Sequence, residues 1–184
     1  MALLIAGLLL WVAAHLFKRL APGPRAKLGN AGKGIVALAL VASVVLMVIG
    51  YRHADGAVFW GRSAPLVGIN NLLMLLAFYI YAAGGPKGAR IWIGTKLRHP
   101  QLVGFSIWAV AHLLVNGDVP SFVLFGGLLI WAQVEIVLIN ALDGPWTPPP
   151  RAPRRKEVVY IVAAVVAVAV VMAIHNWLGV RPWG

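Results

Sequence analysis

The sequence contains no cysteine. That one absence excludes disulfides, thiolate nucleophiles and cysteine-based zinc or iron–sulfur sites, so any metal chemistry must rest on histidine or carboxylate. Acidic residues are scarce too, five against 16 lysines and arginines, and charged residues make up only 11% of the chain. With 61% hydrophobic residues, an aqueous fold would lack the polar surface to cover its apolar mass. A helix needs about 17 to 25 predominantly apolar residues to cross a bilayer. The 184 residues therefore hold five or six passes and leave no room for a soluble catalytic domain.

The apolar runs predict an all-α, polytopic transmembrane helical bundle of about six helices. They lie near residues 2–17, 34–51, 64–83, 100–115, 120–142 and 158–178. The first run is not a cleaved leader by pattern, because its positive charges follow the apolar stretch instead of preceding it. Pro65 and Pro120 fall in first turns, where a missing N–H costs nothing, and Asn116 or Asp118 can cap the fifth helix. Trp146, Thr147 and the run Pro148-Pro149-Pro150 form an extended linker.

The net charge of +11 carries no nucleic-acid motif with it, and its distribution explains it better. Thirteen of the 16 basic residues fall on alternate loops: Lys18, Arg19, Arg25, Lys27 and Lys33, then Lys87, Arg90, Lys96 and Arg98, then Arg151, Arg154, Arg155 and Lys156. Only Arg52, Arg62 and Arg181 fall on the other side. The positive-inside rule then puts the rich loops in the cytoplasm and both termini on the outside. The partner this implies is the lipid bilayer, not nucleic acid.

Polar residues inside the runs need partners, because desolvating them is costly. Glu135 is expected to pair with an amide or a basic side chain, and Asn70 and Asn71 to hydrogen-bond between helices. Gly7, Gly34, Gly126 and Gly127 are candidates for close helix contact. Histidine has a further use, since two neutral imidazoles from two helices satisfy a low-spin haem without any cysteine.

The densest stretch runs Arg98-His99-Pro100-Gln101-Leu102-Val103-Gly104, then Ala111-His112-Leu113-Leu114, Asn116-Gly117-Asp118 and Leu124-Phe125-Gly126-Gly127. With Ala14-His15-Leu16 near the start and His175, Leu178-Gly179-Val180 and Pro182 near the end, it resembles the NnrU family of membrane proteins over nearly the whole chain. The resemblance implies one integral membrane domain over residues 1–184 and an association with nitrite and nitric oxide reduction in denitrifying bacteria.

The same pattern is similar to the 15-cis-zeta-carotene isomerases, which hold haem b. What that likeness implies is haem b with an axial pair at His15 and His112. Arg98 would meet propionates, His99 and His175 stand in reserve, and membrane redox proteins are the implied partners. In the isomerases a cysteine three residues before the second histidine takes part in a ligand exchange; here Ala109 stands there. Depth along the helices, at 1.5 Å per residue, puts His15 level with His99 and His112 level with His175, so two haems on two level pairs also stay open.

Two other classes remain. Arg-His-Pro-x-x-x-Gly is similar to the S-adenosylmethionine segment of isoprenylcysteine-type membrane methyltransferases, although the aromatic residue usual at the position of Leu102 and an acidic C-terminal stretch are missing. The third class is a non-enzymatic membrane assembly component whose polar residues only pack helices.

Overall fold

The computed structural model describes residues 1–85 and 88–183; Lys87, one of the loop cations counted above, lies outside them. The chain is an all-α bundle built from α1 (Ala2–Leu20), α2 (Pro22–Lys27), α3 (Ala31–Arg52), α4 (Ala64–Ala82), α5 (Pro100–Val115), α6 (Val119–Leu142) and α7 (Arg154–Trp177). All of these except α2 and α5 are long and apolar enough to cross a membrane. The 16 residues of α5 rise about 24 Å, so it fits the bundle only as a short pass with structured loops at both ends.

Local chemistry sets the ends. Pro100 opens α5, and Asn116 closes it by donating from Nδ2 to the His112 carbonyl at 2.8 Å. At the start of α6 the Asp118 carboxylate accepts from the Ser121 N–H at 2.8 Å. One turn further on, Phe122–Gly126 winds as a π-helix. This widened turn is absent from the hydrophobic pattern, because it comes from packing and not from periodicity.

α1 packs antiparallel on α3, and α4 on α5, through glycines that admit a neighbouring backbone. A Cβ at Gly7 would lie 2.8 Å from the Ser43 carbonyl, and Gly50 faces the backbone of Leu4. Gly127 receives the Leu8 side chain, whereas Gly34 and Gly126 face nothing within 4 Å. Of the four glycines expected to make close contacts, Gly7 and Gly127 do so. Leu4, Met47 and Leu128 form the centre of the core, with Trp11, Phe105 and Trp108 against it. Outward faces stay apolar: Leu38 is 71% exposed, Val137 64% and Val162 55%. Surfaces of that kind belong against lipid.

Two sets of ties hold the loops, one at each end. At the first end, the Arg90 N–H donates to the Pro150 carbonyl at 2.9 Å and Ala152 N–H returns to the Arg90 carbonyl at 2.7 Å. Glu157 there accepts from the Trp92 N–H at 3.0 Å and from the Tyr79 hydroxyl. At the other end β1 (Val58–Trp60) pairs antiparallel with β2 (Gly117–Asp118), Trp60 Nε1 donates to the Leu113 carbonyl at 3.1 Å, and Asn71 Nδ2 reaches the Pro182 carbonyl at 3.1 Å. These ties join only segments that share a side in the alternating-loop reading.

Candidate functional site: two histidine cavities and an aromatic spine

Aromatic rings fill the space where α1, α5 and α6 meet. The ring of His15 lies 4.2 Å from Trp11 and 4.5 Å from Trp131; Trp11 and Trp131 both adjoin Phe105, at 6.4 and 5.4 Å. Phe105 leads to Trp108 at 4.9 Å, and Trp108 to His112 at 4.8 Å. Phe125, carried by the π turn, stacks on His112 at 4.7 Å. The spacing Phe105, Trp108, His112 puts all three on one face of α5, a signal readable in the sequence.

The spine separates two cavities. The first, about 460 Å³, opens toward the basic end and holds His15, His99 and Arg98 together with Arg19, Arg90 and Glu135. The second, about 450 Å³, lies at the other end, between α4, α5 and α7. His112 and His175 both line it, with Trp108, Phe125, Val168 and Met172 as apolar wall and Arg62, Asn70 and Asn71 as its polar part. Arg62, which the sequence reading passed over, is held there by donating to the Arg181 carbonyl.

Each histidine has a defined ring orientation. A carbonyl oxygen can only accept, so the contacts of His15 Nδ1 with the Trp11 carbonyl at 3.0 Å, His112 Nδ1 with Trp108 at 2.9 Å and His175 Nδ1 with Val171 at 2.8 Å put the proton on Nδ1. Nε2 of all three takes no part in a hydrogen bond to the described residues. His99 is the reverse, with Nε2 on the Asn140 amide oxygen at 2.9 Å.

These observations test the fit to haem. A ligating imidazole anchors its second nitrogen on an acceptor, which His15, His112 and His175 do and His99 does in the other sense. Metal–nitrogen bonds near 2 Å put two axial nitrogens about 4 Å apart. His112 and His175 line one cavity, the first from α5 and the second from α7. His15 and His112 line different cavities: their neighbours on α6, Trp131 and Phe125, are six residues apart, about 9 Å in depth. Among the described residues no cluster of three or more His, Asp or Glu side chains could hold a bare metal ion.

Glu135 and the two asparagines are the remaining intramembrane polar residues singled out by the sequence. Glu135, 5% exposed, faces Arg19 across 3.5 Å. Asn70 donates to Asn71 on its own helix at 3.0 Å, and Asn71 to the C-terminal tail, so the expected helix-to-helix amide bonds run instead within α4 and from α4 to the tail.

The family model described as NnrU protein matches residues 3–182. No curated protein and no solved structure matches the chain.

Proposed function

Because the chain belongs to the NnrU family, we propose that it is a multi-pass protein of a bacterial cytoplasmic membrane that carries haem b between His112 and His175. Its role is a redox or sensing step tied to nitrogen-oxide metabolism. The observation that carries the reading is the shared cavity: two imidazoles from α5 and α7, each tethered through Nδ1 to the carbonyl four residues earlier, with Nε2 of each left for a metal.

The tethers hold both rings against rotation and keep them in the ligating tautomer. Trp108, Phe125, Val168 and Met172 would wall the group with apolar surface, and Arg62 would supply a cation for its propionates. Haem b, when bound, supplies a one-electron couple whose potential the protein tunes through burial and axial ligands. Ala109 in place of the isomerases' cysteine favours a fixed histidine pair over a ligand exchange. With the basic loops read as cytoplasmic, the His15 cavity belongs to the cytoplasmic side and the His112 cavity to the periplasmic side.

The test is an optical spectrum of detergent-purified protein, oxidised and dithionite-reduced, for wild type and for His112→Ala, His175→Ala and His15→Ala. The expected result is a reduced b-type spectrum that disappears in the first two variants and survives in the third. Loss in His15→Ala with retention in His175→Ala would restore the His15–His112 pair and require the wall of Trp11, Phe105 and Trp108 to open. Wild-type protein that stays colourless after haem is supplied refutes the haem reading.

A further inference from the structure

The cavity on the other side of the spine has a different chemistry. Arg19, Arg90 and Arg98 converge on it from the end of α1 and the segment before α5, against a single carboxylate, Glu135. Three guanidinium groups against that one carboxylate leave two positive charges in excess, in a space of about 460 Å³. Arg19 Nε and Glu135 Oε2 face each other across 3.5 Å, whereas Nε of Arg90 and the indole nitrogens of Trp11 and Trp131 are buried without a hydrogen-bond partner. Trp131 is only 6% exposed, so water does not solvate its N–H cheaply. Such a set of unpaired donors around excess positive charge is a site built for an anion.

We propose that this cavity binds a phosphomonoester, with the phosphate among Arg19, Arg90 and Arg98 and the remainder of the ligand along Trp11, Phe105 and Leu102. Charge selects the headgroup. A phosphomonoester carries about −1.5 to −2 near neutral pH and offers three terminal oxygens, which balances the excess of two; a carboxylate or phosphodiester carries one negative charge and leaves one cation unbalanced. Guanidinium groups bind phosphate through paired donors, and the indole N–H groups can take a further oxygen. The apolar wall suits a lipid phosphate, and the concentration of basic residues at this end draws anions to its mouth. The site stands apart from the His112–His175 cavity and does not depend on the haem reading.

The experiment is titration calorimetry on the full chain in non-ionic detergent. The probes are dihexanoyl phosphatidic acid, dihexanoyl phosphatidylglycerol and inorganic phosphate, against wild type, Arg90→Gln, Arg98→Gln and Trp131→Phe. Saturable binding of the phosphatidic acid is expected, stronger than that of the phosphatidylglycerol. It should weaken about tenfold or more in each arginine variant, as loss of a charge-assisted hydrogen bond requires, and about two- to tenfold in Trp131→Phe. The tryptophan variant keeps an aromatic ring and removes only the N–H and one ring, and far-UV circular dichroism of each variant separates a lost donor from a lost fold. Inorganic phosphate binding as tightly as the lipid assigns the site to a soluble phosphate; inorganic phosphate binding far more weakly assigns it to the lipid. No saturable binding of either, or binding unchanged by the arginine substitutions, overturns the proposal.

Discussion

Replacing Gly104 by alanine should destabilise the bundle, although alanine is the better helix former by about 1 kcal/mol. A Cβ at Gly104 would stand 2.7 Å from the Ala77 carbonyl oxygen, 2.7 Å from Tyr81 N and 3.0 Å from Tyr81 Cα. Ordinary contact begins near 3.4 Å, so α4 must retreat by about 0.7 Å. All three obstacles are backbone, and no side-chain rotation relieves them. Overpacking of this kind costs about 1–3 kcal/mol, which exceeds the propensity gain and leaves a net loss of about 1 kcal/mol.

Gly34 is the internal control, since its Cβ would meet nothing within 4 Å. There the same substitution gains up to about 1 kcal/mol, through propensity and a less flexible unfolded chain. The two variants should therefore differ by about 2 kcal/mol with opposite signs relative to wild type. Unfolding by sodium dodecyl sulfate titrated into mild-detergent micelles, followed by far-UV circular dichroism, measures both. A Gly104→Ala protein as stable as wild type would refute the close α4–α5 approach.

Asp118→Ala removes the carboxylate that accepts from Ser121 N–H and should cost about 1 kcal/mol in the same assay. The absence of native cysteine makes every introduced thiol unique. Lys27→Cys and Arg155→Cys should react with a membrane-impermeant maleimide only in inverted vesicles, and Gly61→Cys only in spheroplasts; the opposite pattern would reverse the orientation read from charge.

Much of this molecule was readable from composition and periodicity. The runs at residues 64–83, 100–115 and 120–142 match α4, α5 and α6 within one residue at either end, because apolar segments of that length have few other structures open to them in lipid. α1, α3 and α7 extend three to four residues past one predicted end, into basic residues such as Lys18, Arg19 and Arg154. Those long side chains reach toward the headgroups while their backbone stays helical. The π turn and the β1–β2 pairing left no trace, since each depends on neighbours far along the chain, and the six residues of α2 are too few to make an apolar run. Arg62 was passed over for the same reason: it is an ordinary loop cation until the Arg181 carbonyl holds it at the cavity.

By itself the sequence determined the membrane class, the number of apolar helices, the two sets of loops and the histidines worth asking about, because hydropathy, charge and residue type are local properties. Which histidines can meet was decided by tertiary structure alone. Depth along a helix is local, and it set His15 level with His99 and His112 level with His175; whether level side chains also face one cavity depends on helix rotation and on what fills the space between. Here Trp11, Phe105, Trp108 and Trp131 fill it, so His112 shares a cavity with His175, and His15 with three arginines.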